Sequence, residues 1–65
     1  MNMKILLKRN GEKGLFVFTE NSKPFVVATI EDDNGIGKPV NSWWHGSYYS
    51  NVDDALRALE EALMV

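Results

Sequence analysis

Apolar residues come in short runs at Ile5–Leu7, Leu15–Phe18 and Phe25–Ala28, return as aromatic pairs at Trp43-Trp44 and Tyr48-Tyr49, and then recur at three- and four-residue intervals after Asn51. The first four segments predict strands at about 3–9, 15–19, 25–31 and 42–49, and the change of period predicts a helix at about 52–64. Turn formers separate the strands: Asn10-Gly11, Glu20 to Lys23 ahead of Pro24, and the breaker-rich Asp32 to Pro39, expected to be an exposed loop and the most mobile part of the chain. The expected fold is therefore α+β, an antiparallel β-meander of three to four strands with one C-terminal α-helix packed on one face of the sheet. It forms a single domain over residues 1–65.

Three local details follow. A strict two-residue loop at Asn10-Gly11 would set Lys8 opposite Lys13, an unfavourable like-charge pair, so a longer loop ending near Gly14 is expected. In an extended aromatic segment Trp44 and Tyr48 share one face, with Trp43, His45 and Tyr49 on the other, and Gly46 between them suggests a bulge or a close backbone approach. Asn51 is a good N-cap, followed by Asp53 and Asp54 in the positive first turn and by an apolar stripe of Val52, Leu56, Leu59 and Leu63 flanked by Ala55 and Ala62.

The second and third strands are apolar at successive positions, so both faces of the sheet read as dry. A helix of a dozen residues is roughly 18 Å long and about 10 Å wide, enough to cover one face of a small sheet. Burying a Phe, Val or Leu side chain contributes about 1.5–3 kcal/mol, so the second face needs a cover. Either some of these side chains lie at strand ends, or the aromatic segment folds back over them, or a partner surface covers them, from a second copy or from another protein.

Composition narrows the chemistry. With 65 residues and no cysteine, the chain has neither disulfides nor thiolate chemistry, and domains this short are often stabilised by association. The formal charge of −2 is unevenly spread: residues 1–23 carry five basic and two acidic side chains, residues 24–65 two basic and seven acidic. Nucleic acid is thereby disfavoured as a partner, and the single short N-terminal apolar run, Ile5–Leu7, supports no membrane segment; a cytoplasmic location is expected.

No catalytic constellation emerges. His45 has no second histidine or cysteine and no acidic residue at motif spacing, so it reads as a polar or packing histidine rather than a general base or metal ligand. Ser42, Ser47 and Ser50 lack a nucleophile elbow. Gly35-Ile36-Gly37-Lys38 fails as a phosphate loop because Asp32 stands where a glycine belongs and Pro39 where Ser or Thr belongs. A calcium loop starting at Asp32 fails at Ile36 and at Trp43. Asp53-Asp54 and Glu60-Glu61 read as solubilising helix charges. No cofactor and no metal are expected, and the chain is not expected to be an enzyme.

The segment Ser42-Trp43-Trp44-His45-Gly46-Ser47-Tyr48-Tyr49-Ser50-Asn51, with the helix after it, resembles a pattern in small uncharacterised proteins of phages and prophages of Gram-positive bacteria. The resemblance covers about twenty residues, imports no catalytic residue, and implies a mobile-element accessory protein, a class that includes inhibitors of host enzymes and defence systems. In architecture, strands followed by an extended segment and a terminal helix are similar to the PC4-like single-stranded-DNA binders, which dimerise; a dense basic set on the later strands is missing here. The expected function is a small non-enzymatic interaction module that binds and modulates a host macromolecule, with a protein or a second copy (a homodimer) as partner. The alternative is a dimeric PC4-like single-stranded nucleic-acid binder, using Lys4, Lys8, Arg9 and Lys13 for phosphates and Trp43 or Tyr48 for bases. The expected binding surface comprises Trp43, Trp44, His45, Tyr48, Tyr49, Phe16, Phe18, Asp32 and Asp33.

Overall fold

A two-residue turn starts the fold. In the computed structural model, which describes residues 3–63 (side chains to residue 61), strands β1 (Lys4–Asn10) and β2 (Lys13–Phe18) flank Gly11-Glu12. Gly11 has φ 60° and Glu12 is not in the left-handed region, the pattern of a type II′ turn. Relative to a strict Asn10-Gly11 loop each partner moves by two residues: Asn10 faces Lys13, Arg9 faces Gly14 and Lys8 faces Leu15. The like-charge opposition of Lys8 and Lys13 is avoided by this shift and not by a longer loop. Leu7 is then the extra residue between the Leu6–Phe16 and Lys8–Leu15 pairs, and it bulges to the surface.

Strands β3 (Phe25–Asp33) and β4 (Val40–Tyr49) complete an antiparallel sheet of order β1-β2-β3-β4, and helix α1 (Val52–Leu63) follows. The α+β meander read from the sequence is the fold observed. Residue 64, to which the helical pattern extends, lies outside the described residues, as do the side chains of Ala62 and Leu63. Asn51 caps the helix reciprocally: its Oδ1 accepts the Asp54 N–H at 2.9 Å, and its Nδ2 donates to Asp54 Oδ2 at 3.0 Å. Helix α1 sets Ala55 and Leu59, both fully buried, onto Leu15 and Val27, with Leu56, Ala58, Phe25 and Tyr49 around them. Val52 is exposed, so the buried stripe is centred one position away from the one the spacing suggests.

The second face is covered by the chain itself. Leu6, Phe16, Val26, Ala28, Ile30 and Val40 form a separate buried cluster, with Phe18 and Trp43 packed against it. Three register shifts along the β3–β4 pair twist this hairpin strongly. The resulting curl brings residues 37–39 against the opposite edge strand: the Leu6 N–H donates to the Lys38 carbonyl at 3.0 Å, the Gly37 N–H donates to the Leu6 carbonyl at 2.7 Å, and Ile5 bridges Pro39. The 34–39 loop is exposed in its side chains, as expected, but its backbone is tied down. Asp33 Oδ2 accepts the Gly35 N–H at 3.1 Å, and Asn34 Nδ2 donates to the Pro39 carbonyl at 2.9 Å. Each face thus holds a buried apolar cluster, as the apolar runs of the sequence imply, and the chain itself supplies the cover of both.

Curling requires room inside the sheet, and Gly14 provides it. A Cβ there would lie 2.6 Å from Ile30 Cγ1 and 3.1 Å from Leu6 Cδ1. Gly14 is thus a buried strand position over which two core side chains close, not the end of a loop.

Candidate interaction surface

The aromatic segment does not lie flat. Val27 pairs with Ser47 and Thr29 with Trp44, so two residues, His45 and Gly46, stand opposite Ala28 alone. His45 takes the left-handed conformation, φ 56°, the one described non-glycine residue to do so. A Cβ on Gly46 would meet Trp43 Nε1 and Val26 Cγ1, each at 3.3 Å, so the indole packs against bare backbone. The bulge suggested by Gly46 is present, and it inverts the side-chain alternation on one side of it.

This inversion corrects the expected faces. Trp43, opposite Ile30, and Tyr48, opposite Val26, share the inner face, while Trp44, opposite Thr29, joins Tyr49, opposite Phe25, on the helix side. The nine side chains expected to form one surface therefore do not share one. Phe16 is fully buried and is no part of any surface. Trp43 meets it edge to face and is half-buried, Phe18 is half-buried beside them, and Tyr49 packs beneath α1. Trp44 is 55% exposed and stacks on the exposed His45, ring centroids 5.7 Å apart at 19°. Tyr48, 41% exposed, stands on the other face.

The acidic pair also divides. Asp32 is exposed and accepts from Asn41 Nδ2 at 3.1 Å. Asp33 is half-buried, and both its oxygens are engaged: Oδ1 accepts from Arg9 Nη1 at 2.6 Å and Oδ2 holds the Gly35 amide. It closes the loop rather than offering charge to a partner.

Two residues that sequence reasoning placed elsewhere or passed over belong near the aromatics. Lys4 was expected to track phosphates, but its Nζ lies 4.6 Å from the Phe18 ring centroid and 5.3 Å from that of Trp43. The signal was available, since Lys4 is in phase with Leu6 on one strand face. Lys23 joins Phe18, Asn21 and Tyr48 around an open groove of about 340 Å³. Among the described residues, no three His, Asp or Glu side chains group as a metal site, and no helix is long and apolar enough to cross a membrane. The chain matches no protein-family model, no curated protein and no solved structure.

Proposed function

We propose that the chain is a non-enzymatic interaction module, a phage or mobile-element accessory protein of the cytoplasm that binds and modulates a host macromolecule, with Trp44 and His45 as its anchor. One observation carries this reading: Trp44 is more than half exposed on a bulge whose neighbouring histidine adopts a conformation unfavourable for an L-residue. A side chain with a large apolar surface is thus displayed beside a strained backbone position. Trp, with Tyr and Arg, is enriched among the residues that dominate the energetics of protein interfaces. Glu31 and Asp32, exposed on β3 just beyond the Thr29–Trp44 pair, suit a partner with a basic surface such as a nucleic-acid enzyme or a defence protein.

The experiment is quantitative co-purification from host cells with the wild-type chain, Trp44→Ala and Ile36→Ser. A partner lost with Trp44→Ala and retained with Ile36→Ser, another exposed apolar position, is the expected result. Identical recovery with all three chains removes the reading.

A second reading has its own observation. Lys13, Thr29 and Trp44 form one cross-strand row on the helix side, and Lys8 lies in the next row, opposite Leu15. Cations beside an exposed indole suit a single nucleic-acid strand, in the dimeric manner of the PC4-like proteins. Titration with a labelled single-stranded oligonucleotide at low salt, with sedimentation to read the oligomeric state, decides it; absence of binding eliminates it.

A further inference from the structure

We propose that the mouth of the curled sheet, lined by Phe18, Lys23 and Tyr48 and flanked by Lys4 over the Phe18 ring, is a docking groove for an extended acidic peptide segment carrying an aromatic or aliphatic side chain. The groove opens on the inner face and Trp44 stands on the helix side, so this site is separate from the anchor proposed above.

The groove's volume, about 340 Å³, lies at the lower end of the range of roughly 300–1,000 Å³ found for ligand clefts. Its walls come from two strands that are not neighbours, because Phe18 ends β2 and Tyr48 lies on β4, with β3 between them. Two aromatic rings on a curved surface accept one large apolar side chain and shield it from water. The rim supplies the second half of the recognition. Lys4 Nζ rests over the Phe18 and Trp43 rings, which hold the cation by their faces and leave its outward N–H groups for an anion. Lys23 starts from an ordered turn, since Asn21 Nδ2 donates to its carbonyl at 2.9 Å.

Neither lysine has a carboxylate partner among the described residues, and no acidic side chain lines the groove. In a chain of net charge −2, Lys4 over the Phe18 ring and Lys23 in the groove lining make this side locally positive. Its size selects the ligand. Two ammonium groups match one or two carboxylates, whereas a nucleic-acid strand is tracked by a longer row of cations.

The test is a titration of the ¹⁵N-labelled full chain with a synthetic peptide of alternating Glu and Phe, followed by amide chemical shifts. A peptide of alternating Lys and Phe and an oligothymidylate serve as comparisons. Shifts centred on Phe18, Lys23 and Tyr48 are expected with the acidic peptide alone, with affinity lowered about tenfold by Lys23→Glu and severalfold by Lys4→Gln. Lys23 lies in an exposed turn, so Lys23→Glu keeps the fold, which the spectrum itself verifies. Trp44→Ala is expected to leave the response unchanged, which separates this site from the anchor. Equal shifts with the basic peptide, tighter binding of the oligothymidylate, or an unaltered affinity in Lys23→Glu would each overturn the proposal.

Discussion

The indole of Trp43 meets the ring of Phe16 edge to face, centroids 5.0 Å apart and planes at 65°. Trp44, the next residue, points to the opposite side of the sheet and is 55% exposed. Two identical, adjacent side chains thus have different tasks, one closing a core and one displayed outside it, and the bulge at His45-Gly46 sets which is which relative to Tyr48.

Stability should separate the two. Trp43→Ala leaves a void against Phe16 and Gly46 and removes a ring that Lys4 rests on, so a loss of about 2–4 kcal/mol is expected. Trp44→Ala should change stability by less than about 1 kcal/mol, because no core depends on it. Urea unfolding of both variants at one pH measures the difference; similar losses would mean that Trp44 also packs.

Gly14 is the second sensitive position. A methyl group there would sit 2.6 Å from Ile30 Cγ1, inside the fully enclosed cluster, so Gly14→Ala should destabilise by about 1–3 kcal/mol through overpacking. Combining it with Ile30→Ala, which removes both Cγ1 and Cδ1, should recover part of the Gly14→Ala loss. The double-mutant cycle tests the contact directly, and strict additivity would place the strain elsewhere.

Much of this fold is legible in the sequence, for reasons that differ by element. The terminal helix is read from its cap and its spacing, both local, and the Asn51–Asp54 exchange matches that reading. The strands are read from their apolar runs. The cover of the second face is not legible, because it depends on three register shifts between β3 and β4 and on backbone bonds from Leu6 to Gly37 and Lys38, which lie far from it in the chain. Alternation alone assigned Trp43 and Tyr48 to opposite faces, and a single extra residue reverses such an assignment. Phe16 was included in a surface because its run looked too apolar for one helix to shelter, while the shelter in fact comes from Val40, Trp43 and the curled edge.

Asp33 should matter for the edge closure. Asp33→Ala removes both the Arg9 contact at 2.6 Å and the acceptor for the Gly35 amide at 3.1 Å. The ion pair is partly exposed and contributes at most about 1 kcal/mol, and the amide bond adds about 0.5–1.5 kcal/mol. Native-state hydrogen exchange is the suitable readout. The Leu6 and Gly37 amides, which bond across the closure, should lose protection in Asp33→Ala before those of β2 and β3 do. Arg9→Ala should show a smaller change that shrinks further with added salt.

His45 offers the closest link between strain and use. For a residue with a Cβ, the left-handed region costs about 1–2 kcal/mol, and glycine enters it freely at an entropic cost of roughly 0.5–1 kcal/mol. His45→Gly should therefore raise the urea midpoint slightly, by about 0.5–1 kcal/mol of stability, without changing the slope. It also removes the ring stacked on Trp44, which frees the indole to rotate and lowers its readiness to bind. A variant that is more stable and binds the Trp44-dependent partner less tightly is the expected pair of results. If His45→Gly instead lowers stability, the stacking contributes more than the backbone strain costs, and the bulge is a packing feature rather than a mount for Trp44.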